Sequence, residues 1–255
     1  MSRLENRTAL VTGASRGIGR GIALRLAQDG AVVAVNYSGN RAAAEETVTL
    51  IEEAGGRAFT VQASLGEPGA VERLLDGAKA GLVELTGSPT LDILVNNAAA
   101  TGFAGANPSS VTEEILDRCY TINAKAPFLL IQKALELIPD GGHIVNISSA
   151  VTHSAFPFQI AYAMSKAALE QITLHMAPVL ASRNITINTV APGITNNGDP
   201  VFDDPQAVKR MSTLSVFNRV GEVSEVAEVV AFAASDEARW ITGSFIDATG
   251  GTLLG

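Results

Sequence analysis

The chain has few of the residues from which disulfide bonds and metal clusters are built. Its 255 residues include a single cysteine, Cys119, which excludes an internal disulfide and a cysteine-ligated zinc cluster. The three histidines occur without the HxxH or HxxxH spacing of a zinc-binding helix, and they are His143, His153 and His175. We therefore expect no metal site.

Basic residues and long apolar runs are also scarce. The 18 lysines and arginines are outnumbered by 26 acidic residues, which gives a formal net charge of −8. Such a balance offers no positive surface for nucleic acid or for an anionic membrane. No apolar run approaches the ~18 residues of a membrane span, and the first dozen residues do not resemble a signal peptide. We expect a cytoplasmic protein without nucleic-acid or membrane partners.

What the chain does contain is a regular alternation of short apolar runs and helical patterns. Strands are predicted at residues 7–12, 31–36, 57–62, 91–95, 143–147, 185–190 and 244–247. Helical patterns lie between them, including long ones at 112–138 and 159–182. This rhythm predicts an α/β fold: a single doubly wound, Rossmann-type domain over residues 1–255, with a seven-stranded, mainly parallel sheet and helices on both faces. Residues 194–219 are expected to form a mobile substrate lid.

A glycine-rich turn follows the first predicted strand. Gly13, Gly17 and Gly19 form a G-x3-G-x-G pattern between that strand and a helix. Glycines let the backbone approach a pyrophosphate closely, and the amide-rich start of the next helix favours its negative charge. Alone, this is a weak signal for a dinucleotide.

A second signal follows the fifth predicted strand. Tyr162 and Lys166 are four residues apart, which places both on one face of a helix. An adjacent ammonium favours the phenolate, so we expect the tyrosine pKa to fall below its usual value of about 10. Such a pair alone is usually a packed ring and a solvated amine. Together with the glycine turn, it indicates a dinucleotide-dependent enzyme.

Further motifs follow in chain order: TGASRGIG at residues 12–19, NNAA at 96–99, Asn123, Ser149, YAMSK at 162–166 and PG at 192–193. With these motifs, the sequence resembles the short-chain dehydrogenase/reductase family over essentially its whole length. The resemblance implies a catalytic tetrad of Asn123, Ser149, Tyr162 and Lys166.

The resemblance also implies a role for each member of the tetrad. Tyr162 gives a proton to the carbonyl oxygen as hydride reaches the carbon, and Ser149 orients that oxygen. Lys166 lowers the Tyr162 pKa and contacts the nicotinamide ribose. Asn123 kinks its helix and holds a water that links Lys166 to solvent. Ser148 is expected only to cap a turn.

The charges near the second strand indicate NADPH. Proteins that use NAD usually carry an acid about 20 residues after the glycines. Here the strand ends Asn36-Tyr37-Ser38, with no acid until Glu45. Arg16 and Arg41 could both reach a 2′-phosphate, although Arg41 could equally be a solvated first-turn residue.

The expected cofactor contacts come from the glycine turn, the ends of four strands and the tyrosine–lysine pair. They are Gly13, Ser15, Arg16, Gly17, Ile18, Gly19, Asn36, Tyr37, Ser38, Arg41, Ser64, Leu65, Asn97, Ala98, Tyr162, Lys166, Pro192, Gly193, Ile194 and Thr195. Ser64 stands where the family commonly has an aspartate that contacts the adenine.

Loop phenylalanines indicate an apolar, flat ketone as substrate. The expected pocket consists of Phe103, Ser149, Val151, Phe156, Phe202 and Phe217, with Phe158 close in sequence. Each phenylalanine could equally be loop core. The sequence also resembles the ketoreductases of aromatic polyketide pathways such as those of angucyclines.

Two alternatives remain. A 3-oxoacyl-ACP reductase docks an acidic carrier protein through two basic residues; Arg183 matches one, but Asp140 stands in place of the other. A non-catalytic NADP-binding sensor is the second alternative, although a sensor would not need an intact tetrad.

The predicted helix at 159–182 is apolar on more than one face. A helix that packs only on a sheet needs one apolar stripe, so the excess implies a partner. We expect a homotetramer or a dimer.

Overall fold

The computed structural model describes residues 2–101 and 107–254, and a parallel sheet forms the centre of this part of the chain. Its strands are β1 (Thr8–Val11), β2 (Val32–Tyr37), β3 (Arg57–Gln62), β4 (Ile93–Asn96), β5 (His143–Ile147), β6 (Thr186–Pro192) and β9 (Phe245–Ala248). These seven strands hydrogen-bond in the order β3-β2-β1-β4-β5-β6-β9, and every neighbouring pair is parallel. The prediction of a seven-stranded, doubly wound sheet is confirmed.

Helices cover both faces of this sheet. One face carries α1 (Gly17–Gln28), α2 (Arg41–Glu53) and α8 (Val223–Ala233), and the other carries α3 (Ala70–Thr86), α5 (Ala126–Ala134) and α6 (Ile160–Leu180). In β1, Ala9 and Val11 face the first layer while Leu10 faces the second. Alternate residues of a strand thus face opposite helical layers. Because both layers are apolar, a buried strand is a continuous apolar run in the sequence.

The long helix predicted at 112–138 is interrupted. The structure has α4 (Glu113–Tyr120), then a π-helical turn at Thr121–Lys125, then α5. Pro127 is the reason, because it has no backbone N–H and its ring crowds the carbonyl of the residue four positions earlier, Asn123. The helix therefore changes its hydrogen-bonding pattern where the predicted tetrad residue lies.

The predicted lid contains regular structure. Thr195–Asn196 (β7) pairs with Gly221–Glu222 (β8), and α7 spans Pro205–Ser212. The amide of Val216 and the hydroxyl of Ser215 both donate to the carbonyl of Gly250, at 3.1 and 2.8 Å. These bonds tie the end of the lid to the segment after β9. Across residues 2–101 and 107–254, no helix is both long and apolar enough to cross a bilayer.

Candidate active site

The predicted site residues lie where parallel strands end. The glycine turn follows β1, Asn97 follows β4, Ser149 follows β5, and Pro192 ends β6. Because neighbouring parallel strands have their carboxyl ends at one edge of the sheet, these segments share that edge. It is the edge at which doubly wound folds bind ligands.

The backbone of the turn after β1 requires its glycines. Gly13 and Gly17 have φ of +63° and +55°, which glycine adopts without steric cost. A Cβ on Gly19 would lie 2.3 Å from the Gly13 carbonyl oxygen and 2.4 Å from the side-chain nitrogen of Asn97. The result is a cradle of closely approached backbone at the start of the twelve-residue helix α1, which suits a pyrophosphate.

Asn36 and Thr12 hold this cradle in place. The Asn36 amide oxygen accepts from Gly13 N at 3.1 Å, and its nitrogen donates to the carbonyls of Val61 and Ala63, both at 3.2 Å. The Thr12 hydroxyl accepts from the amides of Asn97 and Ala98, both at 2.9 Å. Asn36, an expected cofactor contact, thus uses its side chain within the protein. Thr12 was missed as a site residue, although it opens the TGASRGIG motif.

The two candidate phosphate ligands differ in their surroundings. Arg41 forms an ion pair with Glu45 at 2.7 Å, whereas the exposed Arg16 side chain, at the N-cap of α1, forms no ion pair within the described part of the chain. Nearby Arg20 is held by Glu46 at 2.7 Å. The guanidinium of Arg16 is therefore the one most available to a further anion.

At the same edge of the sheet, Asn123 joins the end of β4 to the start of α6. Its amide oxygen accepts from Ala100 N at 2.7 Å, and its nitrogen donates to Ala100 O at 3.2 Å and to Ser165 Oγ at 2.9 Å. The Ser165 hydroxyl donates to the Tyr162 carbonyl at 2.7 Å. The Asn123 side chain is thus engaged through both its oxygen and its nitrogen within the protein.

The two adjacent serines have different environments. Ser149 caps a short 3-10 turn by accepting from Val151 N at 3.4 Å, and its hydroxyl is the group that lowers the Tyr162 pKa against the effect of burial. Ser148 is buried and donates to Glu170 at 2.5 Å. The turn-capping role expected of Ser148 is therefore wrong, and Ser149 is the serine directed at the tyrosine.

The Tyr162–Lys166 pair differs from its prediction. Burial raises the Tyr162 pKa to about 12, although a hydrogen bond with Ser149 opposes the rise. Lys166 is 1% exposed, and burial lowers its pKa to about 8. The expected lowering of the Tyr162 pKa by Lys166 is not found: desolvation of the phenolate raises this pKa, and the group that opposes the rise is Ser149.

The expected substrate residues come from several segments. Phe103 lies outside the described residues. Val151, Phe156 and Phe202 are half-buried, whereas Phe158 and Phe217 are 57% and 67% exposed. Phe217 lines a cleft together with the expected cofactor residues Gly193, Ile194 and Thr195 and with Arg219. This cleft joins the lid to the segment after β6.

The comparisons with known proteins agree with this geometry. Residues 13–252 match the family model described as enoyl-(acyl carrier protein) reductase. A short-chain type dehydrogenase/reductase of Picea abies is 38% identical, over 98% of this chain and 93% of the relative.

Two ketoreductases of known structure are more similar. LugOII, described as a promiscuous reductase that catalyses keto-reduction at C1 during lugdunomycin biosynthesis, is 62% identical over 99% of this chain and 100% of its own, with a TM-score of 0.98. The landomycin C-6 ketoreductase LanV, solved with NADP and rabelomycin, is 54% identical over 100% of this chain and 99% of its own, with a TM-score of 0.93. The chain therefore belongs to the short-chain dehydrogenase/reductase family, as its motifs predicted.

Proposed function

We propose that this protein is an NADPH-dependent ketoreductase that reduces a ketone of a polycyclic aromatic polyketide. The observation that carries the proposal is the placement of Ser149, Tyr162 and Lys166 together beyond the carboxyl end of β5. The chain shares this fold with two ketoreductases at 54% and 62% identity.

The cofactor fits the cradle after β1. When bound, NADPH would supply the hydride for the reduction. The backbone of Gly13, Gly17 and Gly19 would accommodate its pyrophosphate at the positive end of α1. We assign the 2′-phosphate to Arg16, because a guanidinium recognises phosphate by charge-assisted hydrogen bonds.

The raised pKa of Tyr162 supports reduction. At neutral pH, a phenol with a pKa of about 12 keeps its proton and can donate it to the carbonyl oxygen. Ser149 offers a second hydrogen bond to that oxygen as negative charge develops on it. Lys166, with a pKa of about 8, carries a positive charge at neutral pH that further stabilises this oxygen. Asn123 positions the start of α6, on which Tyr162 and Lys166 lie.

The proposed substrate class rests on similarity and on the loop phenylalanines. LanV was solved with the polycyclic ligand rabelomycin, and LugOII acts in lugdunomycin biosynthesis. Phe156, Phe202 and Phe217 lie in the segments that follow β5 and β6, where they can stack on a flat ring system.

A carrier-bound substrate is less well supported. Arg183, the basic residue expected to dock a carrier protein, forms an ion pair with Asp140 at 2.8 Å. It also donates to the carbonyl of Leu135 at 2.9 Å. The guanidinium is thus engaged within the chain, and the acid beside it repels an acidic carrier.

We also propose that the protein self-associates in the cytoplasm. Exposed apolar side chains lie on α4, α5 and α6, among them Leu116, Tyr120, Phe128 and Leu174. Packing these helices against a second copy around a two-fold axis would cover this surface. A dimer, or a tetramer built from two dimers, follows.

Oxidation of NADPH, followed by absorbance, tests the function. The panel contains polycyclic quinone ketones of the angucycline type, simple aliphatic ketones and an acyl-carrier thioester. We expect turnover with the polycyclic ketones and little with the other two classes. A preference for the thioester would overturn the proposed substrate class. NADPH binding without turnover of any ketone would favour the sensor instead.

A further inference from the structure

Glu170 lies one helical turn after Lys166 and contacts residues on both sides of Ser149. The Ser148 hydroxyl donates to Oε1 of Glu170 at 2.5 Å, and Nε2 of His153 lies 3.4 Å from Oε2. We infer, on the basis of the ketone reduction proposed above, that Glu170 is a positioning residue: its carboxylate holds the segment 148–153, which carries Ser149, and keeps Lys166 charged.

The contacts of Ser148 and its neighbours explain how the carboxylate would hold Ser149. Before Ser149, the Ile147 carbonyl accepts from Lys166 Nζ at 2.6 Å, and Ser148 donates to Glu170. Lys166 and Glu170, one turn apart on α6, thus anchor the successive residues Ile147 and Ser148. Ser149 follows directly with an extended backbone, at φ −165° and ψ 153°. Its position relative to Tyr162, on the same helix, is therefore set by α6.

After Ser149, the anchor is His153. Its amide donates to the Ala150 carbonyl at 3.1 Å, which closes the short turn. Its ring packs on Phe245 of β9, with 4.4 Å between the ring centroids. Because one carboxylate contacts both Ser148 and His153, the four residues between them form a loop that is closed on Glu170. Loss of this carboxylate would remove one contact from each end of the segment.

Glu170 also acts on Lys166 through its charge. Lys166 is almost completely buried, and within the described part of the chain the negative charge that opposes its desolvation is that of Glu170. The other titratable group close to Lys166 is Tyr162, on the same helix, which is neutral at pH 7. From the β5 side, Lys166 meets the neutral Ile147 carbonyl. His153, whose Nε2 lies 3.4 Å from Oε2, is the other titratable group beside the Glu170 carboxylate.

The ionisation of Lys166 tests the charge effect without any substrate. Protein labelled with ¹³C at lysine Cε is titrated by NMR in the absence of cofactor, and the Lys166 signal is assigned with a Lys166→Met variant. The wild-type signal should titrate near pH 8. In Glu170→Gln, which keeps the size of the side chain but removes its charge, the midpoint should fall by about one pH unit.

A matched control makes the same substitution at the surface. Glu72 pairs with Lys133 at 2.9 Å on the exposed sides of α3 and α5, so Glu72→Gln should leave the Lys166 midpoint unchanged. An unchanged midpoint in Glu170→Gln would overturn the charge effect. If this variant fails to fold, Glu170→Ser replaces it, and the same shift is expected.

Kinetics with a polycyclic ketone test the placement of Ser149. Ser148→Ala removes the hydrogen bond but keeps the charge, so it should lower kcat about tenfold while the Lys166 midpoint stays in place. Glu170→Gln should lower kcat at least as much, whereas Ser148→Ala, which keeps the charge of Lys166, should leave the Kd for NADPH unchanged. Unchanged kcat in Ser148→Ala would overturn the positioning role. The NMR result stands even if no ketone is turned over, so failure of the proposed function is distinguishable.

Discussion

The Lys166 ammonium lies 5.7 Å from the centroid of the Tyr162 ring and donates its hydrogen bond to the Ile147 carbonyl, not to the phenol. The two groups therefore act on a substrate oxygen in different ways. Tyr162 supplies the proton, while Lys166 contributes its positive charge from a position against the last residue of β5, Ile147.

Replacing Tyr162 by phenylalanine removes the proton donor and keeps the ring. We expect turnover to be abolished while NADPH binding stays nearly intact, because the phenol acts on the transition state. Steady-state kinetics and a fluorescence titration with NADPH measure the two effects. Retention of more than a few per cent of the activity would remove Tyr162 from its proposed role.

The rate of ketone reduction should depend on the charge of Lys166. Its pKa of about 8 lies below the usual 10.5, so the ammonium is present at pH 7 and is lost as the pH rises through 8. Tyr162, with a pKa of about 12, keeps its proton throughout this range. We therefore expect kcat to be constant near neutrality and to fall above pH 8. A rate that stays constant to pH 10 would contradict the role of the Lys166 charge.

Replacing Arg16 by alanine should weaken NADPH binding much more than NADH binding, because only NADPH carries the 2′-phosphate. The matched variant is Arg41→Ala. Because the Arg41 guanidinium already pairs with Glu45, its loss should matter less. Titrations of both variants with both cofactors make the comparison. Equal weakening of the two cofactors by Arg16→Ala would assign this residue to the pyrophosphate or to the fold.

Replacing Gly19 by alanine places a methyl group against backbone. The new Cβ would lie 2.3 Å from the Gly13 carbonyl oxygen, so the cradle must open. We expect a loss of about 1–3 kcal/mol in the free energy of unfolding and weak NADPH binding. Gly39→Ala is the control, because its Cβ would meet no atom within 4 Å. Thermal unfolding with and without NADPH distinguishes the two variants.

The self-association proposal is tested by sedimentation. We expect a dimer or a tetramer at micromolar concentration, and dissociation in Leu174→Asp, which places a charge on the exposed face of α6. Leu50→Asp makes the same change on α2, outside the apolar surface of α4, α5 and α6, and should leave the assembly intact. A stable wild-type monomer of 26.4 kDa would refute the proposal.

Periodicity and motifs predicted the sheet and the edge at which the site lies, because strand spacing and glycine chemistry are local properties. The directions of the Tyr162 and Lys166 pKa shifts could not be predicted from the sequence. Spacing placed the two residues on one face of a helix, but the desolvation of each side chain depends on the tertiary packing around it. The reach of Glu170 to Ser148 and His153 likewise depends on how α6 lies against β5.

The π-helical turn could have been foreseen in part. Pro127 removes one helical hydrogen bond, which signals a break near Asn123, but the form of that break depends on the contacts of the Asn123 side chain with Ala100 and Ser165. Asn36 shows the converse: its place at the end of β2 suggested a cofactor contact, and only tertiary structure shows its amide bonded within the protein.

The bonding of Asn36 restricts how this enzyme could be re-engineered to use NADH. The obvious change, an acid at the end of β2, would put a carboxylate where the Asn36 nitrogen now donates to the carbonyls of Val61 and Ala63. Those oxygens would then face negative charge inside the protein, and β3 would lose its attachment to the cradle. Ser38 is exposed two residues later, and its replacement leaves this network whole. A change of coenzyme should therefore start at position 38.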